Sequence, residues 1–454
     1  MPCQLPLKGL SRTALKGLAQ WRTRPGLRGT AAVFTTMSAL AATSIMSSQS
    51  VAEPFSTTPC ALKRTDAHHS EGLDTWNTAY PRPTRALDAV MIFLSFPDAT
   101  PRTTPAELAA DHFPATTRFY EHASYGRFTL RPHPLRNWIR MPHASTSYAI
   151  QRDWNPVNRA AYLRDALAAA DPQVDFSRYD IVYFVADPDA PGVDSDATKV
   201  VNLDTPLRAD GTDVRRVVTV FEKHPPDRLV LAHETGHVFD LPDLYHRPVD
   251  GKGDWDTYVG DWDLMGSQFG LSPDLFAWHK WKLGWLDPRQ VVCVRGTAPK
   301  RLTLEPVAAG PGAAGSTISA ASAGSPAFGL GLGAKLAVVR TGTDSALAFE
   351  ARSPVGNDST ACKQGILVYR VRDGAASGNG PIEVVDAHPR TEACWETSVY
   401  PPLADAPVAL GESFTVPGDN VKVEVEGRTA SGAWTVTITP GERGERGERG
   451  EAGG

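Results

Sequence analysis

The sequence predicts an α+β domain followed by an all-β, sandwich-like domain. Three observations predict it. Strand-length apolar runs alternate with a helical segment between residues 86 and 292. Near residue 295 the texture changes to Gly- and Ala-rich loops separating short strand-like runs. The 454 residues, 41% hydrophobic and 21% charged, suffice to bury a sizeable core in two domains.

Residues 1–52 read as an export signal. Lys8, Arg12, Lys16, Arg22, Arg24 and Arg28 precede the apolar stretch "GTAAVFTTMSALAATSIM", no acid occurs before Glu53, and Ala52 fits the small-residue rule for cleavage. The apolar stretch is diluted by Thr and Ser and falls short of a full span, so an uncleaved anchor is the lesser alternative, and no later segment is apolar enough to cross a bilayer. Removing six basic and no acidic residues from 46 and 51 leaves 40 against 51, a net charge of −11. That balance excludes nucleic acid as a natural partner. Cys3 leaves with the signal. Cys60, Cys293, Cys362 and Cys394 remain, and an even number in an exported chain predicts two disulfides. Cys362 and Cys394 flank one segment and pair, worth roughly 3 to 4 kcal/mol on the chain-entropy model; Cys60 is left for Cys293. The alternative is a Cys60 thiolate that blocks a metal.

Residues 53–85 are polar, with several Pro and Thr, and read as a linker or short pro-segment. "LDAVMIFLSF" (87–96) is a buried strand, "RFTLRP" and "WIRMP" two short strands, "NRAAYLRDALAAA" a helix and "YDIVYFVA" (179–186) a second buried strand. In "LSPDLFAWHKWKLGWL", Ser272 is placed to cap and Pro273 to open a helix, with Trp278, Trp281 and Trp285 on its core face. Residues 293–440 carry "AKLAVVR", "GILVYRV", "NVKVEVEG" and "AWTVTIT", the runs of a β-rich domain. The end, residues 441–454, repeats Gly-Glu-Arg. Four triplets without proline are too few for a triple helix, so it reads as a disordered tail.

The chemistry concentrates in "LVLAHETGHVFDLPDLYH", residues 229–246. His233 and His237 are four apart, on one helix face, a spacing that lets two imidazoles reach one zinc ion. Glu234 is near enough to take a proton from a metal-bound water without being a ligand. Pro242 forces a turn after His237, and Asp243 is the first acid beyond it. Asp240 is the alternative third ligand. Two acidic loops, "DPDAPGVDSD" and "DGKGDWDTYVGDWD", offer carboxylates for a structural calcium ion. Neither has EF-hand spacing, so solvated loops are the simpler reading.

"HETGHVFDLPDLY" and "GDWDLMGS", with the weaker stretches "FLSFPD", "FYEHASYGRFTL", "VDFSRYDIVYF" and "AWHKWKLGWL", resemble the immune inhibitor A family of secreted metallopeptidases over about residues 87–290. The resemblance implies a metzincin-like zinc peptidase fold in residues 86–292, with His233, His237 and Asp243 as zinc ligands, Glu234 as general base and Met265 packed beneath the metal. This chain departs from the pattern at Asp240, where the family usually has glycine for a left-handed turn. Aspartate tolerates that conformation, and Asp240→Gly is expected to be harmless. A tyrosine just after Met265 is missing; Tyr245, His246 and Tyr258 are the candidates to stabilise an oxyanion. The expected activity is that of a secreted zinc endopeptidase acting on proteins or peptides. The competing expectation is a surface-binding protein with a vestigial metal site, against which the retained Glu234 argues.

Overall fold

The computed structural model describes residues 58–248, 252–310 and 333–441; the export-signal reading and the tail beyond Gly441 lie outside them. In chain order the first part comprises β1 (Ala86–Ser95), α1 (Pro105–His112), α2 (Ala115–Ala123), β2 (Thr129–Arg140), α3 (Pro156–Ala170), β3 (Ile181–Ala186), β4 (Lys199–Ala209), β5 (Thr212–Val220), α4 (Val230–Val238) and α5 (Ala277–Lys282). The five strands form one sheet in the order β2-β1-β3-β5-β4, parallel except for β4, which runs antiparallel to β5 at the edge.

The apolar run of β1 is continuous because both its faces are buried. Alternate side chains Val90, Ile92 and Leu94 meet Tyr162, Leu163 and Ala166 of α3, while Ala89, Met91 and Phe93 point to the other face, where α2 and α4 contribute Phe119, Tyr120, Leu231 and Ala232. Strands at "RFTLRP" and "WIRMP" were expected as separate pieces, but they are the two ends of one strand, β2. Pro132 and Pro134 donate no ladder hydrogen bond, and β2 accommodates them as an edge strand, with its register shifting between Met91 and Phe93 of β1.

The helix expected to open at Pro273 starts at Ala277, with Phe276 as its N-cap. Residues 272–276 are held elsewhere. Ser272 N–H bonds Asp261 O, and Leu264 N–H bonds Pro273 O. The first N–H groups of α5 are satisfied by distant side chains: Phe276 by Asp263 at 2.7 Å, Ala277 by Glu350 at 2.7 Å and Trp278 by the Tyr369 hydroxyl at 3.2 Å. Trp278, Trp281 and Trp285 are all buried, but Trp285 lies beyond the end of α5, after the left-handed Gly284, rather than on its helical face.

The remaining strands are β6 (Val291–Cys293), β7 (Lys300–Leu304), β8 (Leu336–Arg340), β9 (Ser345–Arg352), β10 (Gly365–Arg372), β11 (Ile382–Val385), β12 (Ser413–Thr415), β13 (Val421–Arg428) and β14 (Trp434–Pro440). They build a five-stranded sheet, β11-β10-β9-β8-β6, and a four-stranded one, β12-β13-β14-β7. The two sheets share a core containing Ala337, Val339, Phe349, Val368, Val423, Trp434 and Val436. The opposite face of the five-stranded sheet, through Leu336, Val338, Ala348, Leu367 and Tyr369, joins the core around α2, α4 and α5. The described residues therefore make an α+β fold, and the five-stranded sheet of the β-rich part, like β1, is buried on both faces.

Cys60 pairs with Cys293 and Cys362 with Cys394. The stretch read as linker or pro-segment forms a strap against the core. Leu62 and Leu73 are buried in the same cluster as Met265 and Trp278, and the fully buried Glu71 carboxylate meets His279 Nε2 at 2.9 Å. Burial alone would lower the His279 pKa, but Glu71 and Asp263 override it and raise it to about 9. This buried contact ties the strap to α5.

Candidate metal centre

Helix α4 is buried at every position from Val230 to Val238, so its polar residues face a built site rather than solvent. It ends in a Schellman turn: Asp240 N–H bonds His237 O at 3.2 Å, Leu241 N–H bonds Gly236 O at 3.2 Å, and Asp240 takes φ 65°. The turn reverses the chain across Pro242 and returns Asp243 to the face carrying the two histidines. Ligand atoms of His233, His237 and Asp243 lie within 4.8 Å of one another, the sole such group of three or more His, Cys, Asp or Glu among the described residues.

Each donor is oriented by a partner. His233 Nδ1 donates to Leu264 O at 2.8 Å, and His237 Nδ1 donates to Leu241 O at 2.7 Å, leaving both Nε2 atoms facing inward. Asp243 is gripped by a loop of the β-rich part: its N–H bonds Ser377 Oγ at 2.8 Å, Ser377 Oγ–H bonds its Oδ2 at 3.0 Å, and Gly378 N–H bonds its carbonyl at 3.0 Å. Its buried Oδ1 has no hydrogen-bond partner and stands 3.0 Å from His237 Nε2 and 3.4 Å from His233 Nε2. Three inward lone pairs at these distances repel unless a cation or a proton lies between them. Burial disfavours an imidazolium, yet Asp243 raises the His237 pKa to about 9 and the imidazoles hold the Asp243 carboxyl well below its ordinary range. Two nitrogens and one oxygen with a side open to a cleft are the donor set of a catalytic zinc site, and these residues fit that ion.

The floor is Met265, fully buried, in the turn Asp263–Gly266. Its N–H is fixed by Asp263 Oδ1 at 2.7 Å, and its carbonyl accepts from Leu244 N at 2.9 Å, joining the floor to the ligand loop. It packs directly on Gly236 of α4. A Cβ added there would stand 2.4 Å from Met265 Sδ. Gly236→Ala sets a helix-propensity gain of about 1 kcal/mol against overpacking of about 1–3 kcal/mol where the new Cβ meets the buried Met265 side chain. The expected result is a lowered thermal unfolding midpoint and weakened metal affinity, and a variant more stable than the parent would show that the floor yields.

Glu234 lies beside the histidines, and its Oε2 accepts from Val200 N of β4 at 2.6 Å. Burial raises its pKa, against the pull of His233 and His237. A cleft of about 420 Å³ opens on His233 and Glu234 and is lined also by Arg152, Thr198, Glu222, Tyr245, Trp255 and Phe269. Of the three oxyanion candidates only Tyr245 reaches it, its ring parallel to His233 with centroids 6.4 Å apart. His246 and Tyr258 pack on each other instead, centroids 5.0 Å apart.

Asp240 is no part of the ligand group. Its carboxylate is fully buried and bound to Arg64 at 2.7 Å and His69 at 2.9 Å. The expectation that glycine is harmless there considered the turn and not this carboxylate, which glycine would remove. Two acids of the second acidic loop, Asp261 and Asp263, are likewise committed. Asp261 accepts from Leu271 and Val399 N–H, each at 3.1 Å, and Asp263 from Met265 and Phe276. The sequence assigns no role to Ser377, Gly378 or Val200, and offers Asp263 only as a loop carboxylate for calcium. Only Asp263, two residues before Met265, left a local signal.

Compared with known protein families the chain matches none, and comparison with curated proteins finds no match.

Proposed function

We propose that the protein is an exported, zinc-dependent endopeptidase with a metzincin-like centre. The observation that carries this reading is the convergence of His233, His237 and Asp243, both Nδ1 atoms already committed to carbonyls, with Glu234 beside them at the wall of a cleft. The Asp263–Gly266 turn beneath α4 and the antiparallel edge strand β4 beside it support the same reading.

Zinc held by these three residues would supply an acidified water and polarise the scissile carbonyl. Glu234 is placed to accept the water's proton and deliver it to the leaving amine, and burial tunes its carboxyl upward for that double task. Strand β4 ends the sheet order, so its outer edge offers backbone groups to an extended peptide, as in strand addition. Through Val200 that edge is also the one that holds Glu234. Two disulfides and the signal-like first 52 residues support export; among the described residues no helix is long and apolar enough to cross a membrane.

The test is zinc content of the purified protein together with cleavage of a generic unfolded protein with and without a chelator. One zinc per chain and chelator-sensitive cleavage are expected. Undiminished cleavage by metal-free protein, or a folded chain that binds no zinc, overturns the reading.

A further inference from the structure

Asp240 occupies a left-handed position where glycine would carry no steric penalty. A fully buried carboxylate is retained there instead, and it is answered from the strap. Arg64 Nη2 lies 2.7 Å from Oδ2, and His69 Nδ1 lies 2.9 Å from Oδ1. Lys282 Nζ donates to the Asp240 carbonyl at 2.7 Å and to the His69 carbonyl at 3.4 Å, fastening turn and strap to α5 as well.

This cluster lies one residue from the metal centre on two routes. Leu241, next in sequence, gives the carbonyl that fixes the His237 ring. The His69 ring lies against the His237 ring itself, with centroids 5.8 Å apart and 27° between planes. The strap also reaches the loop that grips Asp243, through Thr65 Oγ1–H to Asp373 O at 2.7 Å. Its own end is anchored by the Cys60–Cys293 disulfide.

We propose that Asp240, clamped by His69 and Arg64, is a positioning residue that sets the His237 ring and the Asp243 turn for metal binding, so that the strap is a working part of the metal centre. The inference rests on the zinc reading above and deepens it. Metal ligands bind tightly when their orientation is fixed before the ion arrives, and partners one step out from the ligands typically govern 10–100-fold in affinity. Here that partner is supplied by a segment more than 160 residues away in sequence, His69 to Asp240 being separated by 171.

The experiment uses the full chain, stripped of metal and titrated with zinc against a chromophoric chelator, with the visible absorption of the cobalt(II) form as a second readout. Asp240→Gly keeps the left-handed turn without strain and removes the carboxylate; Asp240→Asn tolerates the turn and keeps an acceptor for His69 but turns its amide NH2 toward Arg64, losing that half of the clamp. The glycine variant is expected to bind zinc about 10–100-fold more weakly and to shift the cobalt bands, while the asparagine variant, which keeps the His69 half of the clamp, falls between glycine and the parent. His69→Phe keeps a ring against His237 but loses the hydrogen bond, and is expected to follow the glycine variant; it decides the matter if the glycine variant does not fold. Parental zinc affinity and cobalt spectrum in the folded glycine or phenylalanine variant, or an asparagine variant no better than glycine, overturns the positioning role alone. A parent chain that binds no zinc overturns both this role and the zinc reading.

Discussion

Replacing Glu234 by glutamine is expected to lower kcat for peptide hydrolysis by about 10⁴-fold, the upper end for a general acid–base group, while zinc content stays near that of the parent. The substitution is nearly isosteric, and the amide oxygen can still accept from Val200 N, so the wall of the cleft is preserved. What is lost is the ability to take a proton from water and return it to the amine. Because one carboxyl serves both transfers, the loss falls on kcat rather than on substrate binding. Single-turnover assays on zinc-loaded protein decide it, and turnover within tenfold of the parent would remove Glu234 as the base.

Asp243→Ala is expected to lose zinc and activity together, by more than the 10–100-fold assigned to partners beyond the ligands. The alanine backbone still accepts from Gly378 and donates to Ser377, so the loop keeps its course and the deficit belongs to the missing oxygen. Two imidazoles alone leave zinc one protein ligand short of a catalytic set. Zinc stoichiometry after dialysis, compared with that of Asp240→Asn, separates ligand from positioning residue; an alanine variant that retains a full equivalent of zinc would require another third ligand.

Much of this centre was legible because it is local. The spacing of His233 and His237, the chain break at Pro242 and the first acid beyond it are encoded within eleven residues, and helix geometry translates them directly. The left-handed turn at Asp240 was expected from the family resemblance, because the family usually has glycine at that position. The role of its carboxylate was not, because Arg64 and His69 lie in a polar stretch whose residues look like linker until the fold brings them to the turn. The β4–β5 hairpin went unread although Asp210 and Gly211, at φ 52° and 70°, carry the two-residue turn signal in the sequence. Polar and charged residues around that signal masked the strands. The start of α5 was misplaced because a Ser-Pro pair is a local cue, whereas Asp263, Glu350 and Tyr369 satisfy that helix end from far along the chain.

The grip of Ser377 on Asp243 spans 134 residues, and this gives the molecule a schedule. During synthesis the histidines and Asp243 appear long before the serine that holds the carboxylate, and before the β9–β10 strands that wall the core beneath α5. On the peptidase reading proposed above, a chain ending before Ser377 lacks this grip on Asp243 and is expected to hold zinc more weakly than the full chain.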